Sequence, residues 1–226
     1  MSLPLFRDRT DAGIELAKAI YTTITQLSAN TVMPPQVVYA LPRGGLPVAL
    51  PVARLLKCPM SAIVAKKITY PKNPELAIGA VTAYENVLWE QSLEPKKLAK
   101  YKQAVLEKAL ATASAQNAQF SPACPEVNLT GAIAIIVDDG IATGLTMAVA
   151  AQALKIYQPA AIWLCAPVAP ASLLPWLQTW GDVLVVLHAP EPFFSVSNFY
   201  EYFEQVPTKD AIACLSQQNE WLNEQI

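Results

Sequence analysis

The stretch Ile135-Ile-Val-Asp-Asp-Gly-Ile-Ala-Thr-Gly-Leu-Thr146 decides the fold. It closes a continuous apolar run, Ala132 to Val137, that lacks the polar alternation of a half-exposed strand. Such a run is expected of a parallel strand covered on both faces. Two adjacent carboxylates, Asp138 and Asp139, follow it, and a glycine-containing turn then opens a helix expected over Leu145 to Tyr157. In an open α/β sheet, ligands bind where strands end and helices begin. Free amides at a helix start, with the hydroxyls of Thr143 and Thr146 nearby, make a cradle for a phosphate. Gly140 and Gly144 let the backbone approach closely.

The flanking segments repeat the order of strand and helix. Ile14, Ala17, Ile20, Tyr21, Ile24 and Leu27 recur at three and four residues, an amphipathic helix with Thr10 or Asp11 as its N-cap. Gln36 to Leu41 reads as a strand, followed by Pro42-Arg43-Gly44-Gly45 and a helix to Leu56. Met60 to Ala65 is the next strand, residues 69–75 a loop, and Leu76 to Trp89 holds one or two short strands. Lys, Ala, Leu and Glu dominate from Leu93 to about Gln116, which favours a long surface helix. Ala160 to Cys165 and Val183 to Leu187 are further apolar strands, and the aromatic, acidic segment from Phe193 is expected to be helical. The pattern predicts an α/β fold, a doubly wound, mostly parallel sheet with flanking helices. No linker-like composition shift divides residues 1–226, so one domain is expected.

Composition narrows the function. The chain has 226 residues, 53% hydrophobic and 15% charged, enough to bury a sizeable core and too apolar for a disordered protein. A net charge of −2 argues against a general nucleic-acid binder. His188 is the single histidine, which removes most His-based metal sites, and no metal-binding residues are expected. Cys58, Cys124, Cys165 and Cys214 are widely separated and form no Cys-x-x-Cys pair; scattered thiols suit a reducing cytoplasm. The weakly charged stretch from Ala160 to Leu177 contains Pro167, Pro170 and Pro175, which would break a membrane-spanning helix. A soluble, cytoplasmic protein is expected.

Two carboxylates beside a phosphate would repel it unless they face another part of the ligand. Ribose hydroxyls are donors and fill that role, and a divalent cation can help. The spacing therefore suggests a ribose 5-phosphate, its diol on the aspartates and its phosphate in the turn. The bland alternative is an ordinary Asp-Asp-Gly turn with the aspartates as caps.

Val137-Asp-Asp-Gly-Ile-Ala-Thr-Gly144 resembles the phosphoribosyl pyrophosphate (PRPP) motif of type I phosphoribosyltransferases. Phe6-Arg-Asp-Arg-Thr-Asp-Ala-Gly13, Leu41-Pro-Arg-Gly-Gly45, Asn73-Pro-Glu-Leu-Ala-Ile-Gly-Ala80 and Glu191-Pro-Phe-Phe194 are similar to blocks in bacterial members of unassigned substrate. The resemblance implies a type I phosphoribosyltransferase-like fold with a small hood or lid, the hood built from residues 190–226 and N-terminal residues. It also implies transfer of phosphoribose from PRPP to a purine or pyrimidine base, with Mg²⁺ bound mainly through PRPP and pyrophosphate released.

Residue by residue, the resemblance makes Asp138, Asp139, Arg43 and Lys67 the candidate catalytic residues. Gly140, Ile141, Ala142, Thr143, Gly144, Leu145 and Thr146 would hold the 5-phosphate, and Gly44, Gly45 and Lys66 the diphosphate. Residues 43–72 carry six basic side chains and no acid, which suits a polyanion. Thr69 and Lys72 stand where related lids often have glycine. Phe193, Phe194, Phe199, Tyr200, Tyr202 and Phe203 suit a hood over a base, or equally core and homodimer contacts. Two other readings stay open: a PRPP- or nucleotide-sensing regulator with little catalysis, and a hydrolase of a phosphorylated sugar.

Overall fold

A computed structural model describes residues 4–29, 32–71, 73–90 and 101–222. Its centre is a parallel five-stranded sheet in the order β2-β1-β6-β7-β8. These strands are β1 (Gln36–Ala40), β2 (Met60–Ala62), β6 (Ile133–Val137), β7 (Ala161–Val168) and β8 (Val183–His188). The expected doubly wound sheet is present. Strand alternation divides its apolar residues between two cores. Val38, Ala40, Ile133, Ile135, Val137, Trp163 and Cys165 enter the core shared with helices α1 (Arg9–Ser28) and α2 (Gly45–Leu56). Val37, Tyr39, Ala134, Ile136, Ile162 and Leu164 enter the other, under α4 (Leu145–Lys155). Every residue of β6 is buried, as its unbroken apolar sequence demands.

Register aligns the strand ends that matter. Ala40 pairs with Val137, and Val137 with Cys165. The Leu41 amide donates to the Val137 carbonyl at 2.9 Å, so the loops after β1 and β6 lie side by side. The Pro42–Arg43 peptide in the first of these loops is cis.

A second, antiparallel sheet in the order β3-β4-β5 differs in detail from the sequence expectation. Met60 to Ala65 is not one strand: β2 ends at Ala62, and β3 (Ala65–Tyr70) joins the smaller sheet. The supposed loop at 69–75 is largely a hairpin, since β4 (Asn73–Thr82) pairs with β3 and only the turn at Pro71 separates them. Ile68, Ile78 and Val81 bury against α3 (Lys102–Phe120), which overrides the turn signal of the prolines. Where one or two short strands were expected over Leu76 to Trp89, there are the longer β4 and the short β5 (Val87–Trp89). At Gly79 the strands approach closely: a Cβ there would lie 2.6 Å from the Leu88 carbonyl oxygen.

The helix expected from Leu93 begins among the described residues at Lys102 and runs on to Phe120; residues 93–100 of that expectation, and Lys72, lie outside the described residues. Asp8, rather than Thr10 or Asp11, caps α1 by accepting from the Asp11 amide at 2.8 Å. The C-terminal part is less helical than its composition suggests. Residues 200–207 are irregular, because Tyr200 bridges to Phe6 and packs with Phe203 instead of entering a helix. Helices α6 (Thr208–Ser216) and α7 (Asn219–Leu222) follow, after the short α5 (Leu174–Leu177). Among the described residues no helix is long and apolar enough to cross a membrane, and the four thiols are unpaired.

Candidate active site

At the carboxyl end of β6 the chain leaves the sheet as Asp138-Asp139-Gly140 and lines a cavity of about 330 Å³. Residues 138–144, Thr146 and Met147 form most of its wall, closed by Lys67 from β3 and by Val196 and Phe203 from the C-terminal segment. The Ile141 side chain is buried, and its amide donates to the Val168 carbonyl at 2.8 Å, tying the turn to the neighbouring strand. Gly144 has φ +75°, a conformation that favours glycine, and a Cβ there would sit 2.6 Å from Trp176. Gly140 is equally confined, by Val196. Helix α4 begins at Leu145, and Thr143, Gly144, Thr146 and Met147 line the cavity, so a helix N-terminus of the kind that binds anions stands at its wall.

The two carboxylates have different surroundings. The Asp138 Oδ1 accepts the Asp139 amide at 2.9 Å. Burial first, and then the like charge of Asp139, hold the Asp138 carboxyl well above the usual carboxylate range. Asp139 instead meets Arg9, whose Nε lies 2.7 Å from its Oδ2, both side chains being largely buried at 12% and 16% exposure. The Arg9 Nη1 donates to the Glu204 carbonyl at 2.8 Å, and its guanidinium stacks 3.8 Å from the centre of the Phe203 ring. The Tyr200 hydroxyl donates to the backbone carbonyl of Asp139 at 2.6 Å. Burial, with the charge of Asp139, pushes the Tyr200 phenol far up, so it stays a donor.

The candidate residues are not all gathered in one cavity. Asp138, Asp139, Lys67, Gly140, Ile141, Ala142, Thr143, Gly144 and Thr146 line it. The Leu145 side chain is turned into the core, so only its backbone can serve a ligand. Gly44 and Gly45 lie behind the acids rather than in the cavity: a Cβ on Gly45 would come 2.7 Å from the Val137 carbonyl. The Arg43 Nη1 is 3.4 Å from Thr208 Oγ1 and does not line the cavity. Lys66 lines the adjoining groove between β3 and α3, its ammonium disfavoured by burial and then by Arg43. Arg43 and Lys66 are therefore electrostatic neighbours beside the cavity.

Arg9, Tyr200, Val196 and Phe203 acquire specific contacts that their sequence neighbourhoods did not assign. Arg9 carries one signal, visible once the cap is placed at Asp8 rather than at Thr10 or Asp11. It is the first residue of α1, where the helix dipole disfavours a cation. A base placed against a local rule points to a distant partner.

As for a cation, the described residues contain no group of three or more His, Cys, Asp or Glu able to hold a metal ion. With one Asp139 oxygen engaged by Arg9, the donor set fits an ion held by the oxygens of a polyphosphate ligand rather than by the acidic pair.

A family model described as phosphoribosyl transferase domain matches residues 11–183. A protein found in two strains of Mycobacterium tuberculosis, provisionally named a phosphoribosyl transferase, is 36% identical over 219 residues, which is 94% of this chain and 47% of that protein. The chain thus spans about half the length of the curated relatives it matches. The crystal structure of TT1426 from Thermus thermophilus superposes with a TM-score of 0.73 at 30% identity, covering 94% of this chain and 98% of that one.

Proposed function

The chain belongs to the phosphoribosyl transferase domain family, and we propose that it transfers the 5-phosphoribosyl group of PRPP to a nitrogenous base with release of pyrophosphate. The observation that carries this reading is that Asp138, Asp139, residues 140–144 and Thr146 line one cavity of about 330 Å³, of a size to take a sugar phosphate.

In this mechanism the C1–O bond to diphosphate breaks, the C1–N bond to the base forms, and the acceptor's proton is released. No protein nucleophile is required. The amides and hydroxyls of residues 140–146 hold the 5-phosphate and fix the sugar's position. Asp138 accepts from the ribose hydroxyls, and its negative charge favours the positive charge that develops on the sugar. Lys67, in the cavity, and Arg43 and Lys66, beside it, stabilise the departing diphosphate. Mg²⁺ carried by PRPP itself would partly neutralise that diphosphate. Phe203 and Val196 give the cavity an apolar wall suited to a flat ring.

A second reading is a PRPP- or nucleotide-sensing protein with little catalysis; the observation that favours it is Arg43, turned to Thr208 instead of lining the cavity. Turnover with PRPP, Mg²⁺ and a panel of purine and pyrimidine bases separates the two. Base-dependent pyrophosphate release supports transfer. PRPP binding without turnover on any base supports sensing, and pyrophosphate release without a base would replace both with hydrolysis. A cytoplasmic, homodimeric enzyme of nucleotide metabolism is the setting this reading implies.

A further inference from the structure

We infer that Arg9 is a positioning residue for the acidic pair: it fixes and neutralises Asp139, leaving Asp138 as the carboxylate that the cavity offers to a ligand. The ligand half of this inference rests on the phosphoribosyltransferase reading; the division of labour between the acids does not.

Adjacent carboxylates on consecutive residues repel each other most where water is excluded. Here the repulsion is handled asymmetrically. Asp139 has an Arg9 nitrogen at 2.7 Å. Asp138 has no ion-pair partner among the described residues, although the charge of Lys67 acts on it. Arg9 is itself held on two other sides, by the Glu204 carbonyl at 2.8 Å and by the Phe203 ring at 3.8 Å. That three-way hold costs Arg9 its freedom, and it uses a planar guanidinium in a way a lysine ammonium would not reproduce in full. The position is also wrong for helix stability, since Arg9 opens α1. The contact spans 130 positions of sequence, so neither local folding nor helix design explains it.

The groups facing the pair come from each neighbouring element: Arg9 from α1, Lys67 from β3, and the Tyr200 hydroxyl from the C-terminal segment. Arg43 lies farther off, against Thr208. Of these, Arg9 alone ion-pairs with Asp139. Removing its charge leaves two carboxylates unscreened from each other, and Asp138 then keeps its proton to a higher pH. A ligand then loses the anionic Asp138 at mildly acid pH and regains it in base.

The test is to follow the carboxyl carbons of Asp138 and Asp139 by NMR through a pH titration of the ligand-free protein. Wild type, Arg9→Lys, Arg9→Met and Arg9→Met/Asp139→Asn are compared. Calorimetry of PRPP with Mg²⁺ at pH 6 and pH 8.5 accompanies it. The expected result is an Asp138 midpoint about one pH unit higher in Arg9→Met. Arg9→Lys should return it in large part, and the double variant should return it fully, because the repulsion has gone with Asp139. PRPP affinity of Arg9→Met should then fall about tenfold at pH 6 and much less at pH 8.5. An unchanged Asp138 midpoint in Arg9→Met overturns the inference, as does an affinity loss equal at both pH values. If Arg9→Met does not fold, Arg9→Gln, which also removes the charge, takes its place, and an unshifted Asp138 midpoint in that variant overturns the inference as well. Failure of wild type to bind PRPP would instead remove the transferase reading, while the ligand-free titration still decides the role of Arg9.

Discussion

Gly44 lies directly against the carboxylate of Asp139: a Cβ built on Gly44 would stand 2.0 Å from the Asp139 Oδ2. The loop after β1 and the acidic pair after β6 are therefore packed together with no room for one methyl group. The glycine is required for that contact rather than for its backbone angles, since φ is −63° at Gly44. The same Oδ2 receives Arg9, so the loop, the acid and α1 form one unit.

Gly44→Ala should accordingly force Asp139 away from Arg9. Overpacking of this kind destabilises by about 1–3 kcal/mol. The denaturant midpoint should fall with an unchanged slope, and PRPP affinity should fall with it. A variant as stable as wild type would mean that the two loops separate easily.

Asp138 should make the protein less stable at neutral pH than in mild acid. Folding raises its carboxyl above the ordinary 3.8, so between that value and the raised one the native state holds a proton that the unfolded chain has lost. This group's contribution therefore worsens as pH rises through that interval, and the penalty is complete above it. Asp138→Asn carries no such charge. It should be more stable than wild type at pH 8 and lose that advantage as pH falls toward 4, measured by urea unfolding across the range. An advantage that does not change with pH would contradict the raised carboxyl.

Tyr200→Phe removes the 2.6 Å hydrogen bond to the Asp139 carbonyl while leaving the ring packed on Phe6 and Phe203. The loss is expected at about 1 kcal/mol of stability. Because the carbonyl belongs to the motif itself, PRPP affinity should weaken along with stability. Thermal unfolding and calorimetry on the same variant measure both; a loss of neither would show the phenol to be incidental.

What the sequence makes legible follows from how local each signal is. The β6 run, the acids after it and the Thr143–Thr146 turn are contiguous, and so strand, site and helix start could be read together. Arg43 and Lys66 were legible as charge but not in direction: only the fold shows Arg43 reaching Thr208 and Lys66 in the neighbouring groove. The 69–75 segment misled because its prolines signal a turn, while the burial of Ile68 and Ile78 that makes it a hairpin depends on a distant helix. The path of residues 200–207 was hidden for the same reason, being set by Phe6 and Arg9 at the other end of the chain. The pairing of Arg9 with Asp139 leaves only the faint mark of a cation at a helix start.

The central claim is that this cavity binds PRPP through Asp138. Calorimetric titration of PRPP, with and without Mg²⁺, into wild type and Asp138→Asn tests it most directly. A charged hydrogen bond contributes about 1.5–3 kcal/mol, and 1.4 kcal/mol is one decade of affinity. Wild type should therefore bind in the presence of Mg²⁺, and the folded variant should bind about ten- to a hundredfold more weakly. Equal affinity in the two proteins, or no binding by folded wild type, would contradict the account.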